Sequence, residues 1–124
     1  MTRHYDELAT YEREGYEIIV DKTWEDLSLN QCFDDTQFDL AEMQHNIEHG
    51  RLDWFMLRVR VLVEGLEIAD HYLGGCLYED AREVLTDGTA EDCISQALEE
   101  AKSKVWRLSR VFGGLSEAVD RAAV

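Results

Sequence analysis

His45-Asn46-Ile47-Glu48-His49 places two imidazoles and a carboxylate within five residues. On a helix His45 and His49 stand one turn apart, so both imidazoles can reach one metal ion while Glu48 serves as a base. That order of residues occurs in a class of zinc peptidases. Such a site takes its third ligand from an acid on another helix, and the sequence singles none out. The motif also sits directly before Gly50, at the end of the helix it needs, and off the apolar positions Leu40, Met43 and Ile47. Two solvated histidines near a helix C-terminus, where the dipole favours cations, explain it more simply.

Carboxylates offer a second chemistry. Asp34 and Asp35 with Asp39, and Asp21 with Glu25 and Asp26, present hard oxygens suited to a divalent cation. Neither set follows the spacing of a helix–loop–helix calcium site, and a solvated acidic face is the simpler account. Nucleophiles are poorly placed. Ser28, Ser95, Ser103, Ser109 and Ser116 lack a GxSxG context. Cys76 and His71 are five apart across a glycine pair, with nothing to orient them, so Cys76 reads as a buried thiol. Gly74-Gly75 is not followed by Gly-Lys-Ser/Thr, so there is no phosphate loop. Arg58 and Arg60 suggest a small basic platform, but pairing with Glu67 or Asp70 on a neighbouring strand accounts for them. The sequence therefore assigns no catalytic residue, no metal ligand and no cofactor.

What remains is charge. The 124 residues hold 27 acids against 12 bases, a net of −15. Residues 1–48 carry 13 acids and 3 bases, whereas residues 101–121 carry a net of +3. Direct binding to nucleic acid or an anionic membrane is disfavoured, because both require a basic surface. Solubility needs only about 2 to 8 net charges in a domain of this size. The surplus costs folding free energy through self-repulsion. An electropositive partner explains it; acidic drift or adaptation to high salt is the competing reason.

Acids on one element stand roughly 5–7 Å apart, on the scale of successive phosphates. An acidic face can thus occupy a basic groove built for DNA or RNA. The asymmetric candidates are Glu12, Glu14, Glu17, Asp21, Glu25, Asp26, Asp34, Asp35, Asp39 and Glu42, with Trp24, Phe38 and Tyr16 interspersed as anchors. Core packing is the alternative role for these aromatics.

Elements must position these groups. An apolar content of 45% is enough for one core in one domain. No apolar run approaches 18 residues, and Met1 to Glu7 contain no apolar leader segment, so a cytoplasmic protein is expected. Cys32, Cys76 and Cys93 form no CxxC pair and read as reduced, mostly buried thiols. Residues 5–14 suggest a short polar helix ending at Gly15. Residues 16–20 are rich in β-formers and predict a strand, followed by a polar connection over 21–26. Leu27, Leu29, Gln31 and Phe33 alternate and predict a second strand. Thr36 is positioned to cap a helix carrying Leu40, Met43 and Ile47, which Gly50 ends.

Residues 54–63 give the strongest strand pattern, with Phe55, Leu57, Val59, Val61 and Val63 facing the core and Trp54, Met56, Arg58, Arg60 and Leu62 the other way. Glu64-Gly65 predicts a tight hairpin to a strand running from Leu66 through Leu73. Tyr78 to Leu85 predicts a short helix. Thr89 opens the longest helix, whose apolar stripe runs Ile94, Ala97, Leu98, Ala101, Val105, Leu108, Phe112; Gly113-Gly114 is expected to break it before a short helix over 115–123. The expected fold is α+β: an antiparallel sheet of three or four strands packed against a long C-terminal amphipathic helix and shorter helices.

Leu52-Asp53-Trp54-Phe55, Arg58-Val59, Gly65-Leu66-Glu67, the run Asp70 to Cys76 and Tyr78-Glu79, with Cys32-Phe33-Asp34-Asp35-Thr36 upstream, resemble a group of small acidic proteins carried by phages and mobile elements of bacteria. The resemblance covers roughly residues 16–102, and its motifs are a hairpin and a helix cap. It implies a fold more than an activity and supplies no catalytic residue. By analogy with small acidic phage proteins, it implies a non-enzymatic anti-defence inhibitor, of anti-CRISPR or anti-restriction type. Its partner would be a basic nucleic-acid-binding surface of a CRISPR effector or restriction enzyme. The residues expected to meet that partner are Glu17, Asp21, Trp24, Glu25, Asp26, Asp34, Asp35, Asp39 and Glu42. An acidic immunity protein or antitoxin capping a basic nuclease toxin is the alternative.

Overall fold

A computed structural model describes the backbone of residues 3–123 and the side chains of residues 3–113. Four antiparallel strands follow one another in space as they do in sequence: β1 (Asp6–Arg13), β2 (Tyr16–Trp24), β3 (Asp53–Val63) and β4 (Leu66–Tyr78). Between β2 and β3 the chain makes α1 (Leu29–Cys32) and α2 (Leu40–Glu48). After β4 come a 3-10 turn (Ala81–Leu85) and the long helix α3 (Thr89–Ala123), which crosses one face of the sheet. The expected α+β architecture is what the chain forms. No helix among the described residues is long and apolar enough to cross a membrane.

The core follows the period-two pattern of β3. Phe55, Leu57, Val59 and Val61 are buried, and Trp54, Met56, Arg58, Arg60 and Leu62 are half-buried on the opposite face. Val63 at the strand end is only half-buried. Ile18 and Val20 extend the buried layer onto β2, and Ala69 and Cys76 onto β4. From α3, Ala90, Cys93, Ile94, Ala97, Leu98 and Ala101 close it. Four small residues among those six let the helix axis approach the sheet closely.

Several expected elements take another form. Residues 5–14 are strand, not helix. Glu14-Gly15 adopts φ of 53° and 85°, nearly the values of 52° and 77° at Glu64-Gly65. Both pairs therefore make the left-handed two-residue turn that matches strand twist. The first lacks a long apolar run on its β1 side, because β1 is an edge strand with few core positions, namely Ala9 and Tyr11 opposite Val20 and Ile18. The polar connection expected over 21–26 is strand through Trp24. Its polarity reflects an ion-paired sheet face rather than a loop.

The strand expected over 27–33 is replaced by α1, whose start is fixed by Gln31 Oε1 accepting the Ser28 amide at 2.7 Å. Asp39, not Thr36, caps α2, its carboxylate accepting the Glu42 amide at 3.1 Å. Gly50 does end α2, with φ of 73° and the Arg51 amide reaching back to the Asn46 carbonyl at 2.8 Å. Tyr78 stays in β4, and the helical turn after it begins only at Ala81. At α3 the Asp87 carboxylate accepts the Thr89 amide at 2.9 Å, while the Thr89 hydroxyl is held by Tyr78. The helix then continues through Gly113-Gly114 to Ala123 without the expected break or a separate final helix.

Candidate functional site

The acid-rich half of the chain folds into two separate places. The β1–β2 and β3–β4 turns lie at one end of the sheet, since Glu17 pairs in register with Leu62. Glu12, Glu17 and Glu64 line a shallow hollow there. Glu14, at the same turn, is held by Lys102 at 2.5 Å. The segment from Glu25 to Glu42 lies at the opposite end, where β2 finishes and β3 begins. Roughly 23 Å of strand separates Glu17 from that segment. Glu17 therefore does not share a surface with Asp34, Asp35, Asp39 and Glu42, contrary to the expectation of one patch.

Asp21 leaves the candidate set altogether. It is 2% exposed on the face of the sheet away from α3. Its two oxygens accept Arg58 Nε at 2.8 Å and Arg58 Nη2 at 2.6 Å, and Arg60 approaches at 3.5 Å. These hydrogen bonds raise the Arg58 guanidinium above its ordinary pKa, and the Tyr5 ring stacks against it at 3.4 Å. The arginines find their main counter-ion on β2, with Glu67 of β4 only 3.8 Å from Arg60 Nε. Asp70 stands opposite Arg60 in register but forms no ion pair with it among the described residues.

At the far end three candidates are tied into local structure. Glu25 is half-buried and accepts the Gly75 amide at 2.7 Å and the Leu27 amide at 3.0 Å. Gly75 has φ of 71°, and a Cβ there would sit 3.4 Å from Cys32 Sγ, so this contact needs glycine. Asp26 is paired with Arg3 and accepts Trp24 Nε1 at 2.8 Å. Arg3 also lies 4.5 Å from the Trp24 ring centroid. Trp24 is thus half-exposed but already covered on one face by a cation. Tyr16 packs against the core edge and is no anchor. Glu25, Asp26 and Trp24 serve the chain's own packing and give little free charge.

The loop after α1 is different. Phe33 lies 5.3 Å from Phe38 and 6.0 Å from Trp54, edge-on or tilted to each. Trp54 Nε1 donates to the Leu27 carbonyl at 2.9 Å, fixing the loop base on β3. Phe38 remains 45% exposed at the outer end of this aromatic stack. Asp34, Asp35, Asp39 and Glu42 are exposed around it. Asp34 accepts the Thr36 amide at 2.9 Å, which holds its carboxyl below the usual pKa range and keeps it charged. The result is an exposed aromatic in a tethered segment that carries four exposed carboxylates, Asp34 and Asp35 in the loop, Asp39 at the cap of α2 and Glu42 in its first turn. Phe33 and Arg3 are the residues that sequence reasoning overlooked. The five-residue spacing of Phe33 and Phe38 around Asp34-Asp35 was the available signal for the first; nothing local marks Arg3.

The other reactive groups are locally engaged. His45 and His49 rings stack at 4.0 Å, and His49 Nδ1 bonds the His45 carbonyl at 2.8 Å. Glu48 accepts Gln44 Nε2 at 3.2 Å. Among the described residues no three His, Cys, Asp or Glu side chains converge as a metal site. Burial pushes the Cys76 thiol up to about 11, and burial also raises Cys93. Cys32, by contrast, is exposed, which corrects its expected burial.

No protein-family model matches the chain, and neither a curated protein nor a solved structure matches it.

Proposed function

We propose that this protein is a non-enzymatic inhibitor that docks its acidic, Phe38-tipped end onto a basic nucleic-acid-binding surface, that of a bacterial defence complex such as a CRISPR effector or a restriction enzyme. The supporting observation is the pairing pattern of the first 48 residues. Their three bases are each engaged: Arg3 by Asp26, Arg13 by Glu91 and Lys22 by Asp53. Asp34, Asp35, Asp39 and Glu42 have no cationic partner among the described residues. They would supply long-range attraction, and Phe38 the short-range contact. The choice of a defence complex rests on the resemblance to small acidic phage proteins; the electrostatics call only for a basic groove.

Replacing Asp34, Asp35 and Asp39 together with Asn tests the reading. Asn caps helices as well as Asp does, so α2 should survive while three charges vanish. The association rate with a DNA-free defence complex, followed by surface plasmon resonance, should fall about tenfold at low salt. The dissociation rate should change little, and wild-type association should weaken steeply with added salt. An unchanged association rate, or no binding of the wild type to any such complex, would count against the proposal.

A further inference from the structure

The C-terminal end of α2 holds two imidazoles that the acidic docking surface does not use. His45 lies in its last turn and His49 at its C-cap, and both are exposed. Their ring centroids stand 4.0 Å apart, with the planes tilted by 35°. His49 Nδ1 lies 2.8 Å from the His45 carbonyl oxygen. A carbonyl can only accept, so this nitrogen carries the proton. In the neutral ring the lone pair is then left on Nε2. His4, by contrast, is engaged by the Asp6 carboxylate at 2.8 Å, whereas His45 and His49 form no ion pair among the described residues. A helix C-terminus attracts positive charge, yet two imidazolium rings in contact repel each other. One divalent cation held between neutral rings meets the first demand without the repulsion.

From this pair we infer a binding site for one borderline-soft divalent cation, of the zinc, nickel or copper(II) class, held by a ring nitrogen of His45 and Nε2 of His49. Metal–nitrogen bonds of about 2.1 Å set two ligand nitrogens of one ion about 3 Å apart. Rings whose centres are 4.0 Å apart reach that spacing by a small turn about the soft χ2 angle. The bond from His49 Nδ1 to the His45 carbonyl is the outer contact that ligating histidines ordinarily make, and it fixes both tautomer and ring orientation. Imidazole donors select these metals over magnesium and calcium, which take oxygen ligands. No third protein ligand converges on the pair among the described residues, so water fills the remaining positions. The net charge of −15 raises the local concentration of cations. α2 contains no buried residue, and an ion bridging His45 and His49 would staple its last turn as Asp39 fixes its first. Asp39 and Glu42 lie at the other end of α2, so the site stands apart from the proposed docking surface.

Calorimetric titration of the full chain with zinc chloride, at about pH 8 where imidazole is neutral, tests the site. A Cys32→Ser background removes the exposed thiol as a competing ligand. One zinc should bind per chain, and magnesium chloride should not displace it. His45→Ala and His49→Ala should each weaken binding at least about tenfold, because the chelate is lost, while His4→Ala should leave it unchanged. With zinc at about ten times the measured Kd, amide exchange over residues 45–49 should slow about tenfold. Long-range proton–nitrogen spectra of the chain with both histidines intact cover the case in which a variant disturbs α2. They should show the Nδ1–H tautomer at His49, and both rings should shift when zinc is added. Zinc binding that survives loss of both histidines overturns the inference. So does binding weaker than about 1 mM, or an Nε2–H tautomer at His49. Displacement of zinc by magnesium would assign the ion to carboxylates instead and sink the imidazole site.

Discussion

At the residue scale, the same carboxylate chemistry serves opposite ends. Asp21 and Asp35 are both aspartates in the acid-rich half, yet one is sealed under two arginines and the other stands in water. Removing one member of a buried pair leaves the other charge uncompensated, which costs about 3 kcal/mol or more. Asp21→Asn is therefore expected to lower the free energy of unfolding by about 3 kcal/mol, measured by urea denaturation. Once the variant is refolded at low temperature, its partner affinity should be unaffected. Asp35→Asn is expected to do the reverse, with unfolding changed by less than about 0.5 kcal/mol and association slowed. A stability loss at Asp35 equal to that at Asp21 would contradict this division.

The elements differ in what holds them. β3 and the first half of α3 are secured by buried apolar layers, whereas α2 contains no buried residue. Leu40, Met43 and Ile47 are only half-buried, so α2 depends on its ends: the Asp39 cap and the Gly50 terminus. Asp39→Ala removes the acceptor for the Glu42 amide, worth about 1 kcal/mol. The expected outcome is faster amide hydrogen exchange across residues 42–48 with little change in exchange across β3. If β3 exchanges faster to the same degree, α2 is an integral part of the cooperative unit. A separable α2 leaves the acidic loop mobile enough to adjust to a partner while Trp54 keeps its base fixed.

For the whole molecule, self-repulsion and local carboxylate bonds respond to pH in opposite senses. Asp34, Asp87 and Glu91 are all held below the ordinary carboxylate pKa, the last two by Tyr78 with the Thr89 amide and by Arg13. A depressed folded-state pKa contributes stability that is complete above the unfolded-state value and lost as pH falls through the folded one. Repulsion among the remaining acids instead weakens as soon as they begin to protonate. The melting temperature should therefore rise as pH falls from 7 to about 5, and drop steeply below about 4. At pH 7, added sodium chloride should raise it by several degrees through screening. A melting temperature that falls with salt at pH 7 would show that the ion pairs outweigh the repulsion.

The sequence by itself determined whatever repeats with a short period. The alternation in residues 54–63, the Glu64-Gly65 turn, the Gly50 terminus and the apolar stripe of α3 from Ile94 to Ala101 follow from local geometry, and each appears where its spacing puts it, whereas Leu108 and Phe112, expected on the same stripe, are exposed. The charge imbalance was equally plain. Only the tertiary structure decided which acids are free, because that depends on Arg58 and Arg60, 37 or more residues from Asp21, and on Arg3, on the far side of a hairpin from Asp26. It also decided that residues 5–14 are a strand. An edge strand gains its pairing from β2 and needs few apolar positions, so its sequence carries little sign of the sheet it joins.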